Sequence, residues 1–243
     1  MRVGGLSIVL AMGLLAGCDG GEAGDALVTD SSAGTVRPSQ TPGVPVTGEQ
    51  IDVLAFGDSL FAGYGLVDPD SQSYPARLEA ALRGDGRNVR IANAGVSGDT
   101  TAAGRQRLAF TLDSQPAKPD LVILELGGND LLRGLPPEQT RANLAAMLDE
   151  LKARDIPVIL FGLQAPPNYG AEWQAKYDAV FPDLAREYGA TLVPFVTEAV
   201  FANPSMLQAD RIHPTAQGVE ALVEATDDAV AKALPASPAR SGG

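Results

Sequence analysis

The sequence predicts an α/β fold in which helices cover both faces of a parallel sheet. Two observations indicate this fold. Short runs that are apolar throughout alternate with segments in which apolar residues recur at helical spacing. Strands without a polar face are typical of sheets buried on both sides. The chain has 243 residues, 45% of them hydrophobic, which is enough for one sizeable core.

Five apolar runs are the predicted strands, and the helical pattern falls between them. The strands cover residues 51–56, 89–93, 121–126, 158–162 and 191–193. The apolar helix faces consist of Leu78, Ala81 and Leu82, then Leu144, Met147, Leu148 and Leu151, and finally Val219, Leu222 and Val223.

The first eighteen residues have the pattern of a bacterial export signal. Arg2 precedes an apolar run over 6–15, which is too short to span a bilayer comfortably. The run ends in Leu-Ala-Gly-Cys, which resembles the lipobox, where cleavage precedes a lipid-bearing cysteine. We expect a signal peptide over 1–17, a lipid anchor on Cys18 and a location in the cell envelope, on the periplasmic side of the inner or outer membrane. The alternative is an ordinary secretory signal with a chance cysteine.

Two other segments lack apolar periodicity. Residues 18–49 are rich in Gly, Ser, Thr, Asp and Pro and predict a disordered tether with a reach of ~30 Å. Residues 235–243 predict a flexible tail. The folded domain is therefore expected over 50–234.

Composition restricts the partners and cofactors. The net charge of −12 predicts an acidic surface that repels polyanions, so we expect no nucleic-acid partner. The chain has one cysteine, Cys18, and one histidine, His213, which argues against a zinc site. Asp58 and Asp130 could suggest a magnesium site, but each is better explained as ordering its own turn. We expect no metal and no cofactor; the oligomeric state is not predictable.

Small and polar residues follow the predicted strands where each strand ends. Gly57-Asp58-Ser59 follows the first strand, "NAGVSGDT" (93–100) the second and "GGND" (127–130) the third. Near the C terminus, "ADRIHPTAQG" places an aspartate three residues before the histidine. Because the carboxyl ends of parallel strands share one edge of the sheet, we expect these motifs to converge.

This combination favours acyl transfer, which requires a nucleophile, a base, an orienting group for the base and donors for the oxyanion. Ser59 is the candidate nucleophile and His213 the base, since an unperturbed histidine titrates near neutral pH. Asp210 would hold the imidazole in one tautomer. The Ser59 and Gly95 backbone N–H groups and the Asn129 side-chain amide are the candidate oxyanion donors.

The set resembles the SGNH (GDSL) hydrolase superfamily, with Ser59, Gly95, Asn129 and His213 as its four marker residues. Longer segments of the chain resemble the bacterial arylesterase and multifunctional acyl thioesterase–lysophospholipase branch of this superfamily. They include "AFGDSLFAGYGL", "LELGGNDLLRGLPP" and "LQAPPNYGAEW". The resemblance implies a flavodoxin-like three-layer α/β/α sandwich, no cofactor and hydrolysis of a small ester or thioester. It also implies that the loop after Asn129 lines the acyl pocket. Leu131 departs from the small residue expected there, which bears on acyl-chain preference.

Each motif alone has a plain structural explanation. A serine after a strand often caps a helix, Gly95 and Asn129 suit turns, and His213 before a proline suits a helix start. Asp58 or Asp130 could also reach the imidazole in place of Asp210.

The order of the motifs favours a lipid-anchored serine esterase acting on short aryl or alkyl esters, lysophospholipids or thioesters. The alternatives are a carbohydrate O-acetylesterase and a non-catalytic envelope binding protein.

Overall fold

A computed structural model of the protein describes residues 44–195 and 198–236. The predicted signal peptide, the predicted anchor Cys18, most of the tether and most of the tail lie outside these residues. Within the described ranges, no helix is both long and apolar enough to cross a membrane.

The described residues form a five-stranded sheet in which all neighbouring strands are parallel. The strands are β1 (Thr47–Gly57), β2 (Arg87–Gly95), β3 (Leu121–Glu125), β4 (Val158–Gly162) and β5 (Thr191–Pro194). Their spatial order is β2-β1-β3-β4-β5, so β1 lies between β2 and β3. The predicted fold class, the five strands and their parallel pairing are confirmed.

The first strand begins before the predicted domain boundary. β1 starts at Thr47, whereas the sequence pattern placed residues up to 49 in the tether. The Thr47 N–H donates to the Gly86 carbonyl at 3.0 Å, and Asn88 Nδ2 donates to the Gly48 carbonyl at 2.9 Å. This end of the strand is polar and exposed, so it carries no apolar pattern from which its pairing could be predicted.

Helices follow each strand. They are α1 (Ser59–Ala62), α2 (Pro69–Gln72), α3 (Tyr74–Gly84), α4 (Thr101–Asp113), α5 (Gly128–Leu132), α6 (Pro137–Ala153), α7 (Ala171–Tyr188), α8 (Glu198–Phe201) and α9 (Ala216–Ala233). Short 3-10 turns cover Pro167–Tyr169 and Pro204–Met206.

Helices cover both faces of the sheet, as the apolar strands require. α3 packs against α9 on one face, and α6 packs against α4 and α7 on the other. The predicted apolar faces of α3, α6 and α9 are buried, except for the half-buried Ala81. Their buried members are Leu78, Leu82, Leu144, Met147, Leu148, Leu151, Val219, Leu222 and Val223.

The strand order creates a crevice at the carboxyl end of β1. The chain leaves β1 to one side to form β2 and then returns to the other side of β1 to form β3. The loops after β1 and β3 therefore diverge at this point. In open parallel sheets, ligands bind where the strand order reverses in this way. The crevice lies where Gly57-Asp58-Ser59 leaves the sheet.

Candidate active site

Ser59 lies at a tight turn between β1 and α1. A Cβ on Gly57 would lie 2.7 Å from the Phe61 ring and 2.9 Å from the Glu125 carbonyl oxygen, so only glycine fits before the turn. Asp58 caps α1 by accepting the Leu60 N–H at 3.1 Å. The serine is 8% exposed and its side chain reaches the crevice.

The structure brings the predicted nucleophile, base and orienting carboxylate together. The hydroxyl of Ser59 lies 2.9 Å from His213 Nε2, and His213 Nδ1 lies 2.7 Å from Asp210 Oδ2. With the proton on Nδ1 donated to Asp210, Nε2 is free to accept the Ser59 hydroxyl proton. The alternative partners Asp58 and Asp130 do not contact the imidazole.

Asp210 organises the turn that carries the histidine. Its Oδ1 accepts the N–H groups of Ile212 and His213, each at 3.0 Å, while Oδ2 binds the ring. Partial burial opposes ionisation of the carboxyl, but these hydrogen bonds outweigh it and lower the pKa of Asp210 to about 2. The carboxylate is therefore charged at any pH at which the histidine can act as a base.

Asn129 lies in the first turn of α5, and a hydrogen bond to Asp58 orients its side-chain amide. Nδ2 donates one hydrogen to Asp58 Oδ2 at 3.0 Å, which leaves the second hydrogen for a substrate oxygen. The backbone on either side is fixed by two tyrosine hydroxyls. Tyr177 donates to the Gly127 carbonyl at 2.9 Å, and Tyr169 donates to the Leu131 carbonyl at 2.7 Å.

These tyrosines hold the backbone around Asn129, and the sequence reasoning assigned them no role. Tyr169 stacks on Trp173, which in turn stacks on Tyr177, with ring centroids 4.7 and 5.2 Å apart. The "PPNYGAEWQAKY" segment therefore supports the loop that carries Asn129. A signal was available, because Trp173 and Tyr177 lie four residues apart and share one face of α7.

The Gly95 amide does not have the predicted role. Its N–H donates to Asn93 Oδ1 at 2.9 Å, which contradicts its assignment as a free oxyanion donor. Glycine is needed at this position for packing, because a Cβ would lie 2.3 Å from the Ala62 nitrogen and 2.7 Å from the Phe61 carbonyl carbon.

Gly98 offers an open backbone amide three residues further along the same loop. Its φ is +86°, it is exposed, and its N–H has no acceptor among the residues that the structure describes. Arg133 donates to the Gly98 carbonyl at 2.8 Å and so ties this loop to the end of α5. The Ser59 N–H likewise has no acceptor in the described ranges.

A buried acid pair lies under the nucleophile. Asp58 is 2% exposed and Glu125 is 0% exposed, and the Asp58 N–H donates to Glu125 Oε2 at 3.3 Å. Burial raises the pKa of Asp58. Burial, together with the nearby Asp58 charge, raises the pKa of Glu125 well above its usual range. Glu125 therefore favours its protonated, neutral form more strongly than a solvent-exposed glutamate does.

We expected Asp130 to order its own turn, but its carboxylate instead binds residues of two other helices. Its carboxylate accepts the Thr101 N–H at 2.8 Å, the Thr101 hydroxyl at 2.5 Å and the Thr140 hydroxyl at 3.2 Å. It thus joins α5 to the starts of α4 and α6. This partner set arises from distant parts of the chain, which is why turn chemistry did not predict it.

A cleft of about 570 Å³ opens beside Ser59 and Asn129. Its walls are mostly apolar, and Gln164 and Arg211 add polar groups. The apolar lining consists of Leu60, Leu131, Leu132, Leu163, Ala165, Pro166, Pro167, Phe201, Ala202 and Ile212. Leu131 and Leu132, which follow Asn129 within α5, line this cleft, and the assignment of this segment to an acyl pocket stays a prediction. Among the described residues, no three side chains of His, Cys, Asp or Glu lie close enough to hold a metal ion.

The geometry defines a serine hydrolase, because an imidazole nitrogen faces a serine hydroxyl beside amide donors at the carboxyl edge of a parallel sheet. The chain belongs to the GDSL-like lipase/acylhydrolase family, whose profile matches residues 55–221, and it is an esterase with the SGNH hydrolase fold.

The esterase TesA of Pseudomonas aeruginosa is 41% identical over 172 residues, which cover 71% of this chain and 84% of TesA. Thioesterase 1/protease 1/lysophospholipase L1 of Escherichia coli K12 is 38% identical over 162 residues, covering 67% and 74% of the two chains. Among solved structures, AlinE4, an SGNH-hydrolase family esterase, is 62% identical with a TM-score of 0.65; the match covers 78% of this chain and all of AlinE4.

Proposed function

We propose that the enzyme hydrolyses short aryl and alkyl carboxyl esters through an acyl-enzyme on Ser59, with lysophospholipids and acyl thioesters as further candidate substrates. The 2.9 Å contact between the Ser59 hydroxyl and His213 Nε2 is the observation that supports this proposal most directly. The apolar walls of the cleft favour an acyl chain over the acetylated sugar of a carbohydrate esterase.

In the proposed reaction, Ser59 Oγ attacks the ester carbonyl carbon while His213 Nε2 takes the hydroxyl proton. The oxyanion accepts hydrogen bonds from the Ser59 N–H, the Asn129 amide and, in place of Gly95, the Gly98 N–H. As the tetrahedral intermediate collapses, the C–O bond to the alcohol breaks and His213 returns the proton to the leaving oxygen. A water molecule, deprotonated by His213, then releases the acid from Ser59.

A fluorophosphonate probe tests the acyl-enzyme. We expect stoichiometric labelling of wild-type protein at Ser59 and none of Ser59→Ala, which should lose esterase activity while unfolding at an unchanged temperature. A chain-length series of para-nitrophenyl esters, with a lysophospholipid and acetylated xylan as further substrates, separates the candidates. Full esterase activity in Ser59→Ala, or turnover of the acetylated sugar alone, would contradict the proposal.

We further propose that the enzyme is exported and anchored through lipid on Cys18. The support is the match of residues 15–18 to the lipobox and the position of the one cysteine at its required place. More than one acyl chain on that cysteine would suffice for stable anchoring.

Fractionation of expressing cells tests the anchor. We expect the full chain to incorporate radiolabelled palmitate and to sediment with membranes, and Cys18→Ser to do neither. Incorporation by Cys18→Ser, or a soluble wild-type protein without label, would overturn this proposal and leave the esterase proposal intact.

A further inference from the structure

Arg211 has a backbone conformation that its residue type does not favour. Its φ is +62°, in the left-handed region where glycine, asparagine and aspartate are preferred. Asp155, with φ +51°, is the other non-glycine residue with positive φ in the described ranges, and its type tolerates that region. Strain of this kind persists mainly where the side chain has a function.

The position of Arg211 suggests what that function is. The residue lines the catalytic cleft, and it lies in the turn between Asp210 and His213. Because His213 delivers its proton to the leaving oxygen, the alcohol portion of the ester leaves on the side of this turn. Arg211 therefore lies beside the path of the leaving group.

Among the carboxylates whose side chains the structure describes, none forms an ion pair or hydrogen bond with the guanidinium of Arg211. The neighbouring Asp210 is committed to the imidazole and to two backbone N–H groups. The chain has a net charge of −12, so most of its surface repels anions. Arg211 places a positive charge at the cleft that can attract one.

We infer that Arg211 is a specificity residue that binds an anionic group, carboxylate or phosphate, on the alcohol portion of the ester. This inference rests on the proposed ester hydrolysis and names the residue that would favour esters whose alcohol portion is anionic. A guanidinium binds both groups through paired N–H donors. Because the side chain is exposed, we expect a preference of roughly threefold to tenfold, reduced by salt.

The test compares ratios of kcat/KM. One pair of probes is para-nitrophenyl butyrate and its analogue with a carboxylate on the phenyl ring; a second pair is butyrylglycerol and butyryl glycerophosphate. The variants are Arg211→Asn, which suits the left-handed backbone and removes the charge, and Arg211→Lys, which keeps the charge. We expect the anionic-to-neutral ratio to fall roughly threefold to tenfold in Arg211→Asn and less in Arg211→Lys. Comparing variants within one pair cancels the intrinsic reactivity of each ester.

Two controls sharpen the result. Asp155→Gly relieves the same type of backbone strain at the far edge of the sheet and should leave the ratio unchanged. Mono-para-nitrophenyl succinate carries its carboxylate on the acyl side, and its turnover relative to the butyrate should not depend on residue 211. Equal ratios in wild-type protein and Arg211→Asn would overturn the inference, as would a loss confined to the succinate. Failure of wild-type protein to cleave any probe would instead overturn the ester-hydrolysis proposal and this inference with it.

Discussion

Asp58, the residue directly before the nucleophile, accepts a hydrogen bond from Asn129 Nδ2 at 3.0 Å. The same carboxylate caps α1 through the Leu60 N–H. One buried side chain thus sets both the helix that starts at Ser59 and the orientation of the amide that faces the substrate. The Gly-Asp-Ser motif therefore links the nucleophile to the oxyanion donor through its middle residue.

Replacing Asn129 with alanine should remove one oxyanion donor. We expect kcat to fall on the order of 10²–10³ with a smaller change in KM, because the lost hydrogen bond matters most when charge develops on the oxygen. Steady-state kinetics and thermal unfolding check this result. Asn88→Ala, which removes an exposed amide far from the cleft, is the matched control and should keep full activity.

Asp58→Asn should act through Asn129. An amide at position 58 presents hydrogens toward Asn129 Nδ2, so we expect the side chain to rotate and kcat to fall by about 10- to 100-fold. The double variant with Asn129→Ala should be no slower than Asn129→Ala alone. Additive losses would show that Asp58 influences the reaction by another route.

Glu125→Gln should flatten the pH dependence of stability. Burial and the nearby Asp58 charge raise the pKa of Glu125 in the folded state well above 4.5, the value of an unperturbed glutamate. The folded state therefore binds more protons, and stability should fall by up to about 1.4 kcal/mol per pH unit as pH rises from 4.5 toward the raised pKa. Denaturant titrations between pH 4 and 8 should show a shallower decline in Glu125→Gln, because glutamine mimics the neutral acid. The exposed Glu224→Gln should follow the wild-type profile.

Gly95→Ala should mainly lower stability, whereas Gly98→Ala should mainly lower kcat. At 95, the new Cβ meets backbone atoms of α1 that cannot move aside, so we expect a loss of stability of about 1–3 kcal/mol. At 98, the nearest atom is 3.9 Å away, but the φ of +86° is unfavourable for alanine, so the loop should shift and kcat should fall at least roughly tenfold. A stable Gly95→Ala protein with a large loss in kcat would restore the sequence-based assignment of Gly95.

Asp210→Asn should reduce kcat by roughly 10²–10⁴, because an amide can stabilise the wrong imidazole tautomer and cannot stabilise the imidazolium. The lowered pKa of Asp210 adds a second expectation. Its contribution to stability is complete above pH 4 and is lost as pH falls toward 2, so wild-type protein should lose this advantage over Asp210→Asn in that interval. Activity profiles and unfolding curves at matched pH measure both effects.

The sequence by itself determined the fold class, the five strands and the buried faces of three helices, because burial imposes an apolar period that can be read locally. It also predicted that Ser59, Asn129, Asp210 and His213 would come together, since motifs at the ends of parallel strands must share one edge, and the structure places them there. The tertiary structure alone decided which groups around them are free to act.

The Gly95 amide is occupied by Asn93, Asp130 joins three helices, and Glu125 lies buried beneath Asp58. Hydrogen bonding and desolvation depend on neighbours that are distant in sequence, so residue type and spacing cannot predict whether a given amide is open or a given acid is neutral.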